Sequence, residues 1–265
     1  MMFEKIGIIG LGFVGSAIRA SIDVPGVGVY VDSDPSKGCT GTYEELMECD
    51  GIFVCVPSPF ASDGSCDTSI LESVLAKLKD YKGVIISKTT APPDVYEYLG
   101  LEYPNLVHAP EFLTAANAER DYLNGKFAII GGTVQAYCRE AERIIRMTQP
   151  SLENVRYCSL GEASLTKYTI NTFLATKVVF MNEIFMLANA CGLSYNRIAD
   201  LVKLDKRIGS SHLQVPGTDG FGFSGMCFPK DTSALLKVAE SKNVPMNVLD
   251  SAVKKNTLLR LTEPK

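Results

Sequence analysis

The residue types best able to do chemistry crowd into one stretch, Gly220-Phe-Gly-Phe223-Ser224-Gly-Met226-Cys227-Phe-Pro-Lys230-Asp231. Glycines let a backbone approach a ligand closely. A thiol follows them, and a lysine and an aspartate lie three and four residues further on, where an apolar run starts. The thiolate is the reactive form of cysteine, and a nearby cation or a helix N-terminus lowers its pKa. Cys227 beside Lys230 at a predicted helix start therefore reads as a presented nucleophile. A cysteine taken alone is more often a small buried apolar residue; the mixture of Gly, Cys, Lys and Asp favours the chemical reading.

Two other places carry groups of the same kind. Leu106-Val-His-Ala-Pro-Glu111-Phe112-Leu113 ends a predicted strand with a carboxylate among apolar residues. Desolvation raises the pKa of a carboxyl and suits it to general-base work, the alternative being a helix cap or a surface acid. Lys167 and Asn171 are four residues apart on a predicted helix and so share a face. Together they would steady an oxyanion, or sit at a solvated edge.

These groups need elements to hold them. Lys5-Ile-Gly-Ile-Ile-Gly10-Leu-Gly12-Phe13-Val14-Gly15 is an apolar strand followed by GxGxxG and helix-forming residues. In that pattern one glycine makes the tight turn, one lets the backbone meet a pyrophosphate, and one lets helix pack on strand. A second strand ends in Asp32, twenty residues after Gly12, where an acid holds the ribose hydroxyls of NAD and disfavours NADP. Lys37 is grouped with this cofactor site. Further strands at 51–57, 83–87, 106–113, 127–131 and 154–158, with helices at 68–79 and 134–147, predict parallel βαβ units. The fold class is thus α/β, a Rossmann-like doubly wound parallel sheet over residues 1–159. Ser58 and the Lys88-Thr89-Thr90 segment follow strand ends, at the expected cofactor mouth. The hydroxyls there serve either a cofactor or a turn.

From Glu162 to Ala190 there is no proline or glycine, and apolar residues fall on nearly every face. A helix of that length spans roughly 40 Å. Burial all round predicts an all-α unit over residues 160–265 and a homodimer formed through helix 162–190. With 265 residues, two packed units fit comfortably. The net charge of −4 and the lack of a basic block exclude a nucleic-acid surface. The eight cysteines show no CxxC, and with only two histidines no metal-ligand spacing appears, so no metal is expected. No signal peptide or apolar span of membrane length is read from the sequence. That predicts a cytoplasmic protein with reduced thiols and no membrane partner.

Taken together, these motifs resemble the UDP-glucose/GDP-mannose 6-dehydrogenase family from Lys5 to about Asn256. The most specific pieces are Lys167-Tyr-Thr-Ile-Asn171 with the run continuing to Glu183, Asp205-Lys-Arg207-Ile-Gly209, and the Cys227-Phe-Pro-Lys-Asp231 box. The resemblance implies a four-electron, NAD-dependent oxidation of a nucleotide-sugar alcohol to a uronic acid, with UDP-glucose the leading substrate and GDP-mannose next. It makes Cys227 the nucleophile that carries a thiohemiacetal and then a thioester. Lys167 and Asn171 become oxyanion donors, Asp231 a proton-transfer group working through water with Thr90, and Glu111 the base for hydrolysis. Phe112, Leu113, Arg207 and Phe223 would meet the substrate, and Lys230 would approach the cofactor.

The chain departs from the family pattern at Ser224 and Met226, where glycine precedes the thiol. It departs again at Thr114-Ala115-Ala116, where the family carries a further carboxylate, and at Lys265, where the family continues into a third domain. Two other readings stay open: a two-electron hydroxyacid dehydrogenase, which needs no cysteine, and an NAD-binding subunit completed by a partner.

Overall fold

The computed structural model describes residues 5–22, 26–114 and 117–261. The substituted Ala115 and Ala116 lie outside the described residues. The chain divides into two compact units. One takes the chain through Pro59 and resumes over Cys66–Lys167; the other holds Phe60–Ser65 and the chain from Tyr168 onward.

The first unit is built on a seven-stranded sheet in the order β2-β1-β3-β4-β5-β6-β7. Its elements run β1 (Ile6–Ile9), α1 (Phe13–Ser21), β2 (Gly28–Val31), α2 (Tyr43–Leu46), β3 (Gly51–Val54), α3 (Ser69–Lys77) and β4 (Val84–Ser87). They continue with α4 (Pro93–Glu102), β5 (Leu106–His108), α5 (Ala118–Leu123), β6 (Phe127–Gly132), α6 (Gln135–Thr148) and β7 (Asn154–Cys158). Strands β1, β3 and β4 are buried at every position. That is why they read as continuous apolar runs rather than as alternating ones, as a sheet covered on both faces requires. One face packs Ile8, Phe53, Ile86 and Val107 under α1 and α6; the other packs Ile9, Ile52, Val54 and Ile85 under α3 and α4.

The sheet is not parallel throughout. β5 and β6 pair antiparallel, with Val107 opposite Gly132, and β7 follows β6 in parallel. Among the described residues, the link between β5 and β6 holds the six-residue α5, a rise of roughly 9 Å. β6 enters from the opposite end of the sheet, so it pairs antiparallel with β5.

The second unit is helical: the remainder of α7 (Leu160–Ala190), then α8 (Tyr195–Val202), α9 (Phe228–Ser241) and α10 (Asn247–Leu261). α7 starts at Leu160, next to the boundary expected from the sequence, but its first two turns pack with the sheet unit. Gly161 N donates to Glu97 Oε1 at 2.7 Å and Ser164 Oγ to the Ala91 carbonyl at 2.6 Å. By length and composition alone α7 is apolar enough to cross a bilayer, contrary to the reading that no such segment exists. Its buried polar residues Lys167, Asn171 and Asn182 are nonetheless hydrogen-bonded within the protein, as in the core helix of a folded domain.

Candidate active site

In the sheet unit, the three glycines of the first turn have different jobs. Gly10 has a φ of +91°, and a Cβ there would meet the Cys55 carbonyl oxygen at 2.7 Å; a Cβ on Gly15 would lie 1.9 Å from the Gly10 oxygen. Gly12 has nothing within 4 Å of its Cβ position. Two glycines thus permit packing, and the third leaves an open approach. Gly12 also caps α1, which has no side-chain cap and no acid in its first turn. The helix-start N–H groups, on Phe13, Val14 and beyond, therefore suit an incoming anion such as the pyrophosphate of NAD.

Asp32 closes β2. Its carboxylate accepts from Leu11 N at 2.6 Å and Asp34 N at 2.8 Å, with Lys37 Nζ at 3.4 Å. Burial alone would push this carboxyl up, but the two backbone donors and the lysine outweigh it and hold its pKa below the ordinary value. The acid is anchored and ionised, with acceptor capacity left for hydroxyl groups. These features fit NAD.

At the carboxyl ends of β3 and β4, Ser58 Oγ donates to the Thr90 carbonyl at 2.5 Å, and Thr89 Oγ1 to the Val56 carbonyl at 2.8 Å. The hydroxyl of Ser58 thus ties one loop to the next. Beyond β5, Glu111 is 8% exposed and Lys167 only 3%. Lys167 Nζ donates to Glu111 Oε1 at 3.0 Å and to the Glu111 carbonyl at 2.6 Å, while Leu113 N donates to Oε2 at 2.6 Å. The carboxylate is as buried as the sequence suggested, but a lysine supplies its counter-charge. Phe112 lies beneath that ammonium at 5.3 Å and against Phe127 at 5.0 Å. His108 stacks on Tyr96 at 4.0 Å, and burial drives its pKa down to about 3, so it is a neutral ring.

In the helical unit, Cys227 is half-buried, outside any disulfide, and caps α9, with Pro229 in the first turn. Its carbonyl accepts from Asp231 N at 2.8 Å. Asp231 is 1% exposed, and each of its oxygens is claimed: Oδ2 by Asn171 Nδ2 at 2.5 Å and Oδ1 by Lys230 Nζ at 2.7 Å. The buried carboxylate, the amide and the ammonium form one network, and the main chain of Cys227 joins it at the helix start. A buried charge so paired and hydrogen-bonded is stable where a lone one is not.

The glycine-rich stretch before the thiol is pinned by side chains. Asn256 accepts from Phe223 N at 2.7 Å and donates to the Phe223 carbonyl at 3.1 Å, and Asn182 accepts from Gly222 N at 3.1 Å. The Phe223 ring is buried beside Ala175, Val179 and Leu259. Ser224, one of the departures, turns its hydroxyl to Asp219 Oδ2 at 2.7 Å; Met226, the other, is 72% exposed. Arg207 is exposed and paired with Asp205, Nη2 to Oδ2 at 2.6 Å. Its loop is gripped by Lys177, whose Nζ reaches the carbonyls of Ile208 at 3.0 Å and Ser211 at 2.6 Å. Among the described residues no group of His, Cys, Asp and Glu could hold a metal ion.

Sequence reasoning missed the positioning residues Asn182, Asn256 and Lys177 and gave Lys88 no role. A polar side chain at the end of an apolar helical run, as Asn182 is after Val178-Val-Phe-Met181, was the available signal.

Two domain descriptions match the chain, the NAD-binding domain of the UDP-glucose/GDP-mannose dehydrogenase family over residues 37–149 and the family's central domain over residues 161–258. The UDP-glucose 6-dehydrogenase TuaD of Bacillus subtilis is 32% identical over 97% of this chain, which spans 64% of that relative's length. A solved UDP-glucose dehydrogenase from Pyrobaculum islandicum superposes with a TM-score of 0.81 at 26% identity, covering 97% of this chain and 68% of that one. The 3-hydroxyisobutyrate dehydrogenase of Mycobacterium tuberculosis shares the fold, with a TM-score of 0.75 at 18% identity and coverage of 99% and 96%. With an anion-ready glycine turn, an anchored acid at the end of β2 and both domain patterns present, the chain belongs to the UDP-glucose/GDP-mannose dehydrogenase family.

Proposed function

We propose that this protein oxidises the primary alcohol of a nucleotide sugar to a carboxylate with NAD, and that UDP-glucose, the substrate named in its relatives, is the sugar nucleotide. The observation that carries the reading is the Cys227-Asp231-Asn171-Lys230 network at the start of α9. A thiol at a helix N-terminus beside a buried, clamped carboxylate is built for covalent catalysis.

NAD supplies the two-electron oxidant, once for each of the two oxidations. The alcohol loses its proton to a water held by Asp231, with Thr90 assisting. The Cys227 sulfur adds to the aldehyde carbon, and the second oxidation converts the thiohemiacetal to a thioester. Water activated by Glu111 then displaces the thiol as carboxylate forms. Lys167 and Asn171, one turn apart on α7, donate to the oxygen that carries negative charge in each addition. Lys167 also keeps Glu111 in an ion pair until water arrives. Phe112, Leu113, Phe223 and Arg207 are assigned to the substrate and Lys230 to the cofactor side.

Leu165, Phe173, Phe180 and Leu187 leave an exposed apolar stripe along α7; seven- and eight-residue spacing keeps them near one face. This supports the homodimer through residues 162–190. The reading places the protein in the cytoplasm.

The test is the yield of NADH from purified protein given UDP-glucose, then GDP-mannose. Two NADH per sugar, abolished by Cys227→Ala, are expected. One NADH, unaffected by that substitution, would mean a two-electron dehydrogenase. None, with NAD still bound, would mean a subunit that a partner must complete.

A further inference from the structure

Lys88 stands outside the chemistry just described, yet its situation is costly. It follows β4, where its backbone N donates to the Val54 carbonyl at 2.8 Å. The residue is 6% exposed, and its ammonium has no hydrogen-bond or ion-pair partner among the described residues; the Phe53 ring lies 5.9 Å away. The titratable groups facing it are Cys55 beyond β3, Glu111 and His108 at the end of β5, and beyond them Lys167 of α7. None offers it a free negative charge. Burial pushes the Cys55 thiol up to about 12, His108 is neutral, and both oxygens of Glu111 are taken by Lys167 and Leu113 N. Burial accordingly brings Lys88 down to about 8. Desolvating an unpaired ammonium destabilises the fold, and a methionine of similar length would avoid that cost. A group retained under such a penalty calls for a ligand.

The place suggests which one. In open α/β sheets ligands bind outside the carboxyl ends of the strands, where strand order reverses. The order β2-β1-β3 puts that reversal between β1 and β3. Cys55, Lys88's neighbour, packs there against the glycine turn, its Cβ 3.4 Å from the Cβ position of Gly15. Asp32 on the β2 side takes the adenosine ribose, so the other half of the dinucleotide extends over β3 and β4. We propose that Lys88 is a cofactor-binding residue whose ammonium donates hydrogen bonds to the oxygens of the nicotinamide riboside half of NAD.

The test compares whole cofactor with half cofactor. NADH binding is followed by its fluorescence and AMP binding by calorimetry, in the wild type, Lys88→Met and Lys88→Arg. Lys88→Met is expected to weaken NADH about tenfold, the scale of a lost charge-assisted hydrogen bond, and to leave AMP unchanged. Lys88→Arg should recover part of the NADH affinity. Wild-type NADH affinity should fall between pH 7 and pH 9 as the ammonium deprotonates, and that fall should vanish in Lys88→Met. Unchanged NADH binding in Lys88→Met would overturn the proposal. So would an equal loss of NADH and AMP affinity, which would mark Lys88 as a prop of the sheet.

Discussion

The protein carries two glycine-rich loops, and they are held in opposite ways. In the turn after β1 the glycines are fixed by their own backbone: Gly10 and Gly15 are pressed against main-chain oxygens, leaving no room for a Cβ. In the loop before Cys227, side chains from distant helices do the holding. Asn256 and Asn182 bind the backbone of Phe223 and Gly222 across 33 and 40 residues of sequence, and Gly225 has nothing within 4 Å of its Cβ position. A loop defined by backbone sterics is rigid before any ligand arrives. A loop held by amides adjusts when those amides move. The first suits a cofactor of constant shape, and the second would suit the covalent intermediate proposed for Cys227, whose carbon changes geometry during the reaction.

Substitutions can break that contrast. The largest effect is expected from Gly15→Ala, which drives a methyl group into the Gly10 carbonyl. The sheet unit should lose more than about 3 kcal/mol, at the upper end of overpacking costs, and thermal unfolding with loss of NADH binding reports it. Asn256→Ala should come next, because it strands both polar groups of a buried Phe223 backbone. About 1–3 kcal/mol per unsatisfied group sets the scale, and hydrogen exchange at Phe223 should rise while NADH binding stays intact. Gly225→Ala should cost about 1 kcal/mol, since only its φ of +78° opposes a side chain there. If Gly225→Ala proved as damaging as Gly15→Ala, the two loops would not differ as described.

The smallest effect concerns acid. Asp32 has a lowered pKa in the folded chain, so it contributes stability above the ordinary carboxyl value and loses it as pH falls through the depressed one. Unfolding followed from pH 6 to pH 3 should therefore show a component that Asp32→Asn lacks, and an identical slope in the variant would remove Asp32 from the account.

The same contrast explains which parts of the site the sequence could disclose. Anchoring by near neighbours leaves a local signature: glycines at fixed offsets, an acid at a strand end, a thiol three residues before a lysine. Long-range partnership leaves at most a polar letter in an apolar run, as at Lys177 and Asn182, or none at all, as at Asn256 between Lys255 and Thr257, and these residues passed without notice for that reason. The antiparallel pairing of β5 with β6 was hidden likewise, because a strand's own residues do not record the direction in which it pairs.

By itself, the sequence determined the strand and helix types, the anion-ready turn, the family, and the residues available for chemistry, since local sterics and hydrophobic spacing act over a few residues. Only the tertiary structure decided the pairings: Lys167 with Glu111, Asn171 and Lys230 with Asp231, and, among the described residues, no counter-ion for Lys88. Charge partnership inside a protein is a matter of burial and of distances across the fold, and linear spacing does not encode either.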